Sequence, residues 1–562
     1  MTGPKAPKDP TAKGSSFYIC RQKEVAGNPT PDGRGVQFIY LDGSRLTTFA
    51  RMVGSITDET MIQNLETAEG FLNMVAGIGV TVEADDQNQV VDFAFQMYGK
   101  KDTYAEGDTI TVHCKPDGME QIIWLDDYQW SENNGVVGQM RFEFDRPERL
   151  ATVDVKLYLR EGFTAPEQEE RTEINVEGEA YQAILKRSLM SMGNYARVKK
   201  VLDRAKRGEE VTIAFIGGSI TQGAGATPIH LKSYAYQTWE RFQANFGKNV
   251  KLIKAGVGGT PSELGMIRFE RDVLRSFTVK PDLIVIEFSV NDEGDETKGL
   301  CYESLVRKCL ALSDDTAVIL IHAVFANDWN LEERLGPVGE RYEVPMVSVR
   351  QGVVPQFYLK PETGRVLTKS QFFYDVFHPT NMGHTIMADC LIYLMKQIDA
   401  APAMADTDWR SKEPVFGTTF EKVELVDKAW KSELLQELKA GSFCEIDEDL
   451  QRVEMDDVLA PVPEFPNNWA HVSGNDPFSV KITCKSLLIV SKDSGSAEYG
   501  KATVKVDGEE VLTLDPRAVG WTHCTPQIIC RGEETKEHLI EVQMIPGDEE
   551  KKMTILGFGV VR

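Results

Sequence analysis

Between residues 211 and 322 the chain repeats one unit four times: a short apolar run, a stop at a small or polar residue, then a helix-like stretch. The apolar runs lie at 211–216, 250–254, 282–288 and 317–322. Strands this apolar need cover on both faces, and strands alternating with helices build a parallel sheet with helices on either side. In such sheets functional groups collect at the carboxyl ends of the strands. The loops opening at Gly217, Ala255, Ser289, His322 and Phe373 are therefore where chemistry is sought.

The flanks follow a different rhythm. Upstream, Val153, Val155, Leu157 and Leu159 alternate with Asp154, Lys156 and Tyr158, and the run 36–41 ends at the turn pair Asp42-Gly43. Downstream, helix-like residues near 420–440 precede apolar runs at 480–490, 502–506, 511–514, 539–545 and 553–560, with Asp507-Gly508 as a hairpin signal. Period-two patterns of this kind read as antiparallel β-sandwiches. Polar, Pro-bearing stretches at 163–179 and 399–414 read as linkers, and a cationic helix-like stretch at 181–207 leads into the first central strand. The expectation is an α/β domain at 179–402 between β-sandwich domains at 1–178 and 403–562, in keeping with roughly 150 residues per domain.

Charge narrows the partners. Sixty-two Lys and Arg against 86 Asp and Glu give a net charge of -24, which disfavours nucleic acid and anionic membranes. A neutral or cationic small molecule is expected instead. Lys5, Lys8 and Lys13 precede no apolar run and no window of 18 apolar residues follows, so the expected location is cytoplasmic. The nine cysteines are scattered without C-x-x-C spacing, and neither a metal nor another cofactor is expected. The oligomeric state stays open.

Four loops carry the candidate chemistry. In the first, Gly217-Gly218-Ser219 places a hydroxyl at a strand's end, either as a nucleophile or as a cap for the next helix. Thr221 breaks the G-x-S-x-G pattern, and no Gly-Lys-Ser/Thr follows. In the second, Gly256-Val257-Gly258-Gly259-Thr260-Pro261 fails the dinucleotide fingerprint at Pro261. Its free N–H groups suit an oxyanion, although a tight turn alone would also need glycine. In the third, Asn291-Asp292 offers an amide donor or an Asx turn. The fourth is the most specific: of His230, His322, His378 and His384 in the central segment, His378 follows Asp375 by three residues, so that the carboxylate can fix its tautomer.

In this order, Ser219, Gly259, Asn291 and Asp375/His378 resemble the blocks of the SGNH hydrolases, the GDSL-like esterases and lipases, over about residues 212–388. The resemblance implies a flavodoxin-like three-layer domain with a parallel sheet. It further implies Ser219 as nucleophile, His378 as base and then acid, Asp375 as its orienter, and an oxyanion hole of the Ser219 and Gly259 N–H groups and the Asn291 amide. Two positions depart from the pattern: Gly218 stands where the family has Asp, and Ser289 where it often has Gly. These variants are similar to bacterial carbohydrate esterases flanked by β-sandwich modules, which remove acetyl groups from hemicellulose sugars. Residues 553–559 resemble the jelly-roll partner of such enzymes.

The expected activity is serine-dependent removal of O-acetyl groups from hemicellulose-derived oligosaccharides of xylan or mannan type. Two rivals stand beside it: an SGNH lysophospholipase, thioesterase or other short-acyl esterase, and a non-catalytic glycan-binding protein. Trp124, Tyr128 and Trp130 lie within seven residues and form a candidate sugar platform, with core packing as the plainer role.

Overall fold

Five strands form the parallel core of the central domain: β1 (Val211–Gly217), β2 (Val250–Gly256), β3 (Leu283–Glu287), β4 (Ala317–His322) and β5 (Met346–Ser348). Their order is β2-β1-β3-β4-β5, so the chain reverses direction across the sheet at β1 and β3, and Leu189–Ser191 adds an antiparallel edge beside β5. Every residue of β1 and β3 is buried, because helices cover both faces. Ala214, Ile216, Ile284 and Ile286 share a core with the helices Ser262–Asp272 and Leu300–Ala311. On the other face Phe215 meets Tyr234 edge-on at 5.8 Å, at the start of the helix Tyr234–Phe246. β5 is three residues long and lies between two helices, too short for periodicity to reveal.

The computed structural model describes residues 14–102, 107–168 and 174–562. Lys5, Lys8 and Lys13, and positions 169–173 of the expected first linker, lie outside them. The chain divides into two units, Met1–Thr172 and Glu173–Arg562. The first holds two antiparallel sheets. One runs Ser16–Ala26, Leu150–Leu159, Val75–Glu83, Gln121–Trp124, and the other Asn28–Pro29, Gly35–Tyr40, Asn134–Phe144, Val91–Gly99, Thr109–Cys114. Three short helices, Arg45–Met52, Glu59–Leu65 and Ala68–Met74, add to the β content read from sequence.

In the second unit the α/β layer and a C-terminal antiparallel sheet of eight strands share one apolar core. Ile267, Val423, Leu425, Phe465, Leu488 and Leu556 all belong to it. Gly559 allows the contact, since a Cβ there would stand 2.8 Å from Ile267 Cγ1. One ion pair crosses the same interface, Arg271 with Glu464, and within the helix Asp272 pairs with both Arg268 and Arg271. The guanidinium groups hold Asp272 below the usual carboxylate range against the cost of burial.

Three local expectations change. The stretch 181–207 is two helices, Glu179–Ser188 and Ala196–Lys206, because Gly193 turns the chain at φ +48° directly against the Glu343 carbonyl. Residues near 420–440 form no α-helix, only the 3₁₀ turn Ser432–Leu434: Glu424–Val426 pairs with the strand Met553–Val561, and this pairing overrides the helix propensity of Glu, Lys and Leu. The stretch 399–414 has a linker's composition but is strapped to the α/β layer. Asp406 pairs with Arg197, Trp409 packs edge-on against Tyr342 at 6.2 Å, and Glu303 accepts the N–H groups of Val415, Phe416 and Gly417. At Asp507-Gly508 both φ angles are positive and Val506 faces Glu509, as a two-residue hairpin requires.

Candidate active site

The site forms at the carboxyl end of the sheet, where β1 and β3 part. β1 stops at Gly217, Gly218 caps the short helix Ser219–Gln222, and Ser219 is that helix's first residue rather than its cap. Its hydroxyl is therefore free to face His378, with Oγ 2.9 Å from Nε2. His378 Nδ1 lies 2.9 and 3.0 Å from the two oxygens of Asp375. Asp375 Oδ1 also accepts the backbone N–H groups of Phe377 and His378, each at 2.8 Å, so the loop holds the carboxylate before the imidazole does. With the Nδ1 proton toward Asp375, a neutral ring presents its Nε2 lone pair to the serine hydroxyl.

The loop carrying these residues is stiffened on both sides. Tyr374 N–H donates to the His378 carbonyl at 2.7 Å, and Thr380 caps the helix Asn381–Ala400. Gly225, at φ +90°, lets the segment after Ser219 run close by, since a Cβ there would meet the Pro379 carbonyl at 2.1 Å. His384 is a structural group. It accepts from Tyr234 N–H and donates to the Ala224 carbonyl, and burial pushes its pKa down to about 3.

Gly259 lies in the second loop at φ +74°, a conformation that suits glycine. The peptide groups of its neighbour Gly258 are both held. The N–H donates to Gln222 Oε1 at 2.9 Å, and the carbonyl accepts from Gln451 Nε2 at 2.7 Å. Asn291 makes no capping bond with its side chain, which lies against Gly218. A Cβ at position 218 would stand 2.2 Å from Asn291 Oδ1, so with Asn291 placed as it is here, the residue at 218 is held to glycine. Asp292 joins the second and third loops by accepting the N–H and hydroxyl of Ser262, and burial pushes its pKa up to about 7. Ser289, the other departure, bonds His322 Nδ1 at 2.6 Å.

The arrangement brings Ser219, Asp375, His378 and Asn291 to one point, with the Gly258-Gly259 loop beside it: a Cβ at Gly258 would lie 3.8 Å from Ser219 Cβ. A hydroxyl activated by an oriented imidazole, beside backbone and amide donors, is equipped for acyl transfer. Trp124 and Tyr128 lie in the N-terminal unit and are 38% and 37% exposed, so neither is a core residue. Trp130 is half-buried, 6.3 Å from Tyr128, and donates its indole N–H to the Leu125 carbonyl.

Several site residues are not evident in the sequence. Arg268, fully buried, donates to the Gly217 carbonyl at 3.0 Å and so fixes the end of β1. Lys254 donates to the Gln222 carbonyl at 2.8 Å. Gln451, Trp521 and His523 arrive from more than 200 residues beyond Ser219, and no local pattern marks them. Among the described residues, the ligand atoms of Glu263, Asp295 and Cys301 lie within 4.8 Å of one another. Burial pushes Glu263 up to about 9 and Cys301 well above its usual value, so a cation there would have to displace bound protons. Among the described residues, no helix is long and apolar enough to cross a membrane.

Residues 215–386 match the model of the GDSL-like lipase/acylhydrolase family. A crystal structure of a two-domain esterase (CEX) active on acetylated mannans is 26% identical, covering 67% of this chain and 99% of its own, with a TM-score of 0.58. A structure of such a two-domain esterase co-crystallized with mannopentaose gives 26% identity, coverage of 67% and 98%, and a TM-score of 0.57. No curated protein matches the chain.

Proposed function

We propose, from the match of residues 215–386 to the model of the GDSL-like lipase/acylhydrolase family, that the chain is a carbohydrate acetyl esterase removing O-acetyl groups from hemicellulose-derived oligosaccharides, of mannan type before xylan type. The observation that carries the reading is the continuous array from Ser219 Oγ through His378 to Asp375. Ser219 Oγ attacks the acetyl carbonyl as His378 Nε2 takes its proton, and the oxyanion forms against the Ser219 and Gly259 N–H groups and the Asn291 amide. When the C–O bond to the sugar breaks, His378 returns the proton to the leaving sugar oxygen. Water then attacks the acetyl-serine, giving up a proton to His378, and acetate leaves as Ser219 regains its hydrogen. No cofactor takes part in these steps. The preference for mannan rests on the two esterase structures that resemble this chain.

The test is acetate release by the full chain from acetylated manno- and xylo-oligosaccharides, run beside 4-nitrophenyl esters from acetate to octanoate. The expected outcome is acetate from the sugars, a preference for the two-carbon acyl group, and a loss of at least roughly 10³-fold in Ser219→Ala. Faster cleavage of octanoate with no acetate from sugars would replace this reading with that of a general acyl esterase.

A further inference from the structure

Two side chains stand over Gly259, His523 at the start of a strand of the C-terminal sheet and Trp521 in the bend just before it. A Cβ on Gly259 would lie 2.8 Å from Trp521 Cζ2 and 3.0 Å from His523 Nε2. His523 opens the strand His523–Met544 opposite Asp493, and its Nδ1 lies 2.9 Å from Asp493 Oδ2 and 3.1 Å from Thr525 Oγ1. Thr525 donates its own hydroxyl to the same Asp493 oxygen. The Nδ1 proton of a neutral ring therefore points at Asp493, and Nε2 is left as an acceptor.

Among the described residues that Nε2 has no hydrogen-bond partner, although His523 is only 6% exposed. A buried acceptor left unpaired bears its full desolvation penalty, and such atoms mark places where a partner arrives later. The indole of Trp521 lies beside the imidazole, 4.7 Å between centroids, and is 40% exposed. Gln451 fixes the pair relative to the reaction site, since it accepts from Cys524 N–H while donating to the Gly258 carbonyl.

We propose that His523 and Trp521 form a subsite for the alcohol half of the substrate, in which His523 Nε2 accepts a hydrogen bond from the sugar hydroxyl next to the acetylated oxygen and Trp521 covers the ring. The inference rests on the carbohydrate-esterase reading. Complementarity decides which half of the ester is held. An acetyl group offers only a carbonyl acceptor and a methyl, neither of which can satisfy a lone pair, whereas a sugar brings O–H donors within one carbon of the ester. An apolar indole face beside an acceptor is the usual setting for a pyranose ring, which has C–H faces and a hydroxyl rim. The subsite thus makes the enzyme specific for esters with a free neighbouring hydroxyl.

The test uses the full chain and three substrates: a mono-acetylated methyl mannoside with its neighbouring hydroxyl free, the analogue with that hydroxyl replaced by hydrogen, and 4-nitrophenyl acetate. The wild type should prefer the hydroxylated sugar by roughly 10- to 100-fold in kcat/KM, the discrimination expected of a site built to bond a hydroxyl. His523→Phe should lose that preference, and His523→Gln, which keeps an acceptor, should restore part of it. Because His523→Phe leaves Asp493 without its partner and could fold poorly, Trp521→Ala at an exposed position is the second variant. It should raise KM for the sugar ester several-fold more than KM for 4-nitrophenyl acetate. Equal wild-type rates on the two sugars, or undiminished discrimination in a folded His523→Phe, would overturn the subsite alone. Cleavage of 4-nitrophenyl acetate with neither sugar touched would overturn the carbohydrate reading and the subsite with it.

Discussion

Gln451 donates its side-chain amide to the carbonyl of Gly258 over 2.7 Å, tying the loop beside Ser219 to a segment that lies between strands of the C-terminal sheet. Gln222, on the helix that starts with Ser219, holds the N–H of the same Gly258. The loop is thus clamped between the helix that starts with Ser219 and a distant stretch of chain, and the clamp sets where the Gly259 N–H points.

Gln451→Ala should remove this bond and the one to Cys524 N–H. A stability loss of about 1–3 kcal/mol is expected from thermal melting, because the partners left behind are buried. The kinetic expectation is a fall in kcat of roughly ten-fold on 4-nitrophenyl acetate with KM nearly constant, as when a transition-state donor is misplaced. An unchanged kcat in the destabilised variant would assign the loop's geometry to Gln222 alone.

The legible and illegible parts of the site differ in sequence distance. Each catalytic candidate sits within a few residues of a strand end or helix start, so Ser219 after β1, Asn291 after β3 and the Asp375/His378 pair announce themselves by local pattern. The choice between nucleophile and cap at Ser219 was not local. Gly218 takes the cap position, and the Ser219 hydroxyl faces His378, 159 residues away. Gln451, Trp521 and His523 act through contacts made only when the C-terminal segment packs on the α/β layer, and Arg268 reaches the Gly217 carbonyl across 51 residues. A lone Gln or Trp in an ordinary strand or loop carries no signal of such a contact. The same limit explains the strap at 399–414, whose polar composition matches a linker until Arg197, Arg307 and Glu303 are seen to need those partners.

Gly218→Asp would restore the Gly-Asp-Ser pattern of the similar hydrolases, yet it should lower the proposed activity. The new Cβ would stand 2.2 Å from Asn291 Oδ1, and the amide, as the movable partner, would be pushed aside. The expected loss in kcat is on the order of 10²–10³, the same as for Asn291→Ala, and the double variant should be no worse than either alone. Additive losses would mean that position 218 acts independently of the amide.

Asp375→Asn separates catalysis from loop structure. The Asn oxygen can still accept from Phe377 and His378 N–H, so melting should change little. The carboxylate that fixes the His378 tautomer is gone, and kcat should fall by roughly 10³–10⁴. A large drop in melting temperature with a modest loss of kcat would reverse the two roles.

Glu287 ends β3 directly beneath the site and is fully buried. Burial, reinforced by the nearby Asp292, pushes its pKa up to about 8, against the pull of Thr221 and Ser289. An unfolded chain would ionise this group near its ordinary value, so the folded form binds the extra proton across the interval between the two. Stability from this group is therefore complete below about pH 4 and is lost as pH rises through about 8. Glu287→Gln cannot ionise, so its melting temperature relative to wild type should climb between pH 5 and pH 9. A relative gain of about 1–3 kcal/mol is expected, below the full linkage value because the surrounding groups relax. Repulsion among the protein's excess acidic groups also grows over this range, but it is common to both proteins and cancels in the difference. A difference in melting temperature that stays flat from pH 5 to pH 9 would show that Glu287 is ionised in the folded protein at neutral pH.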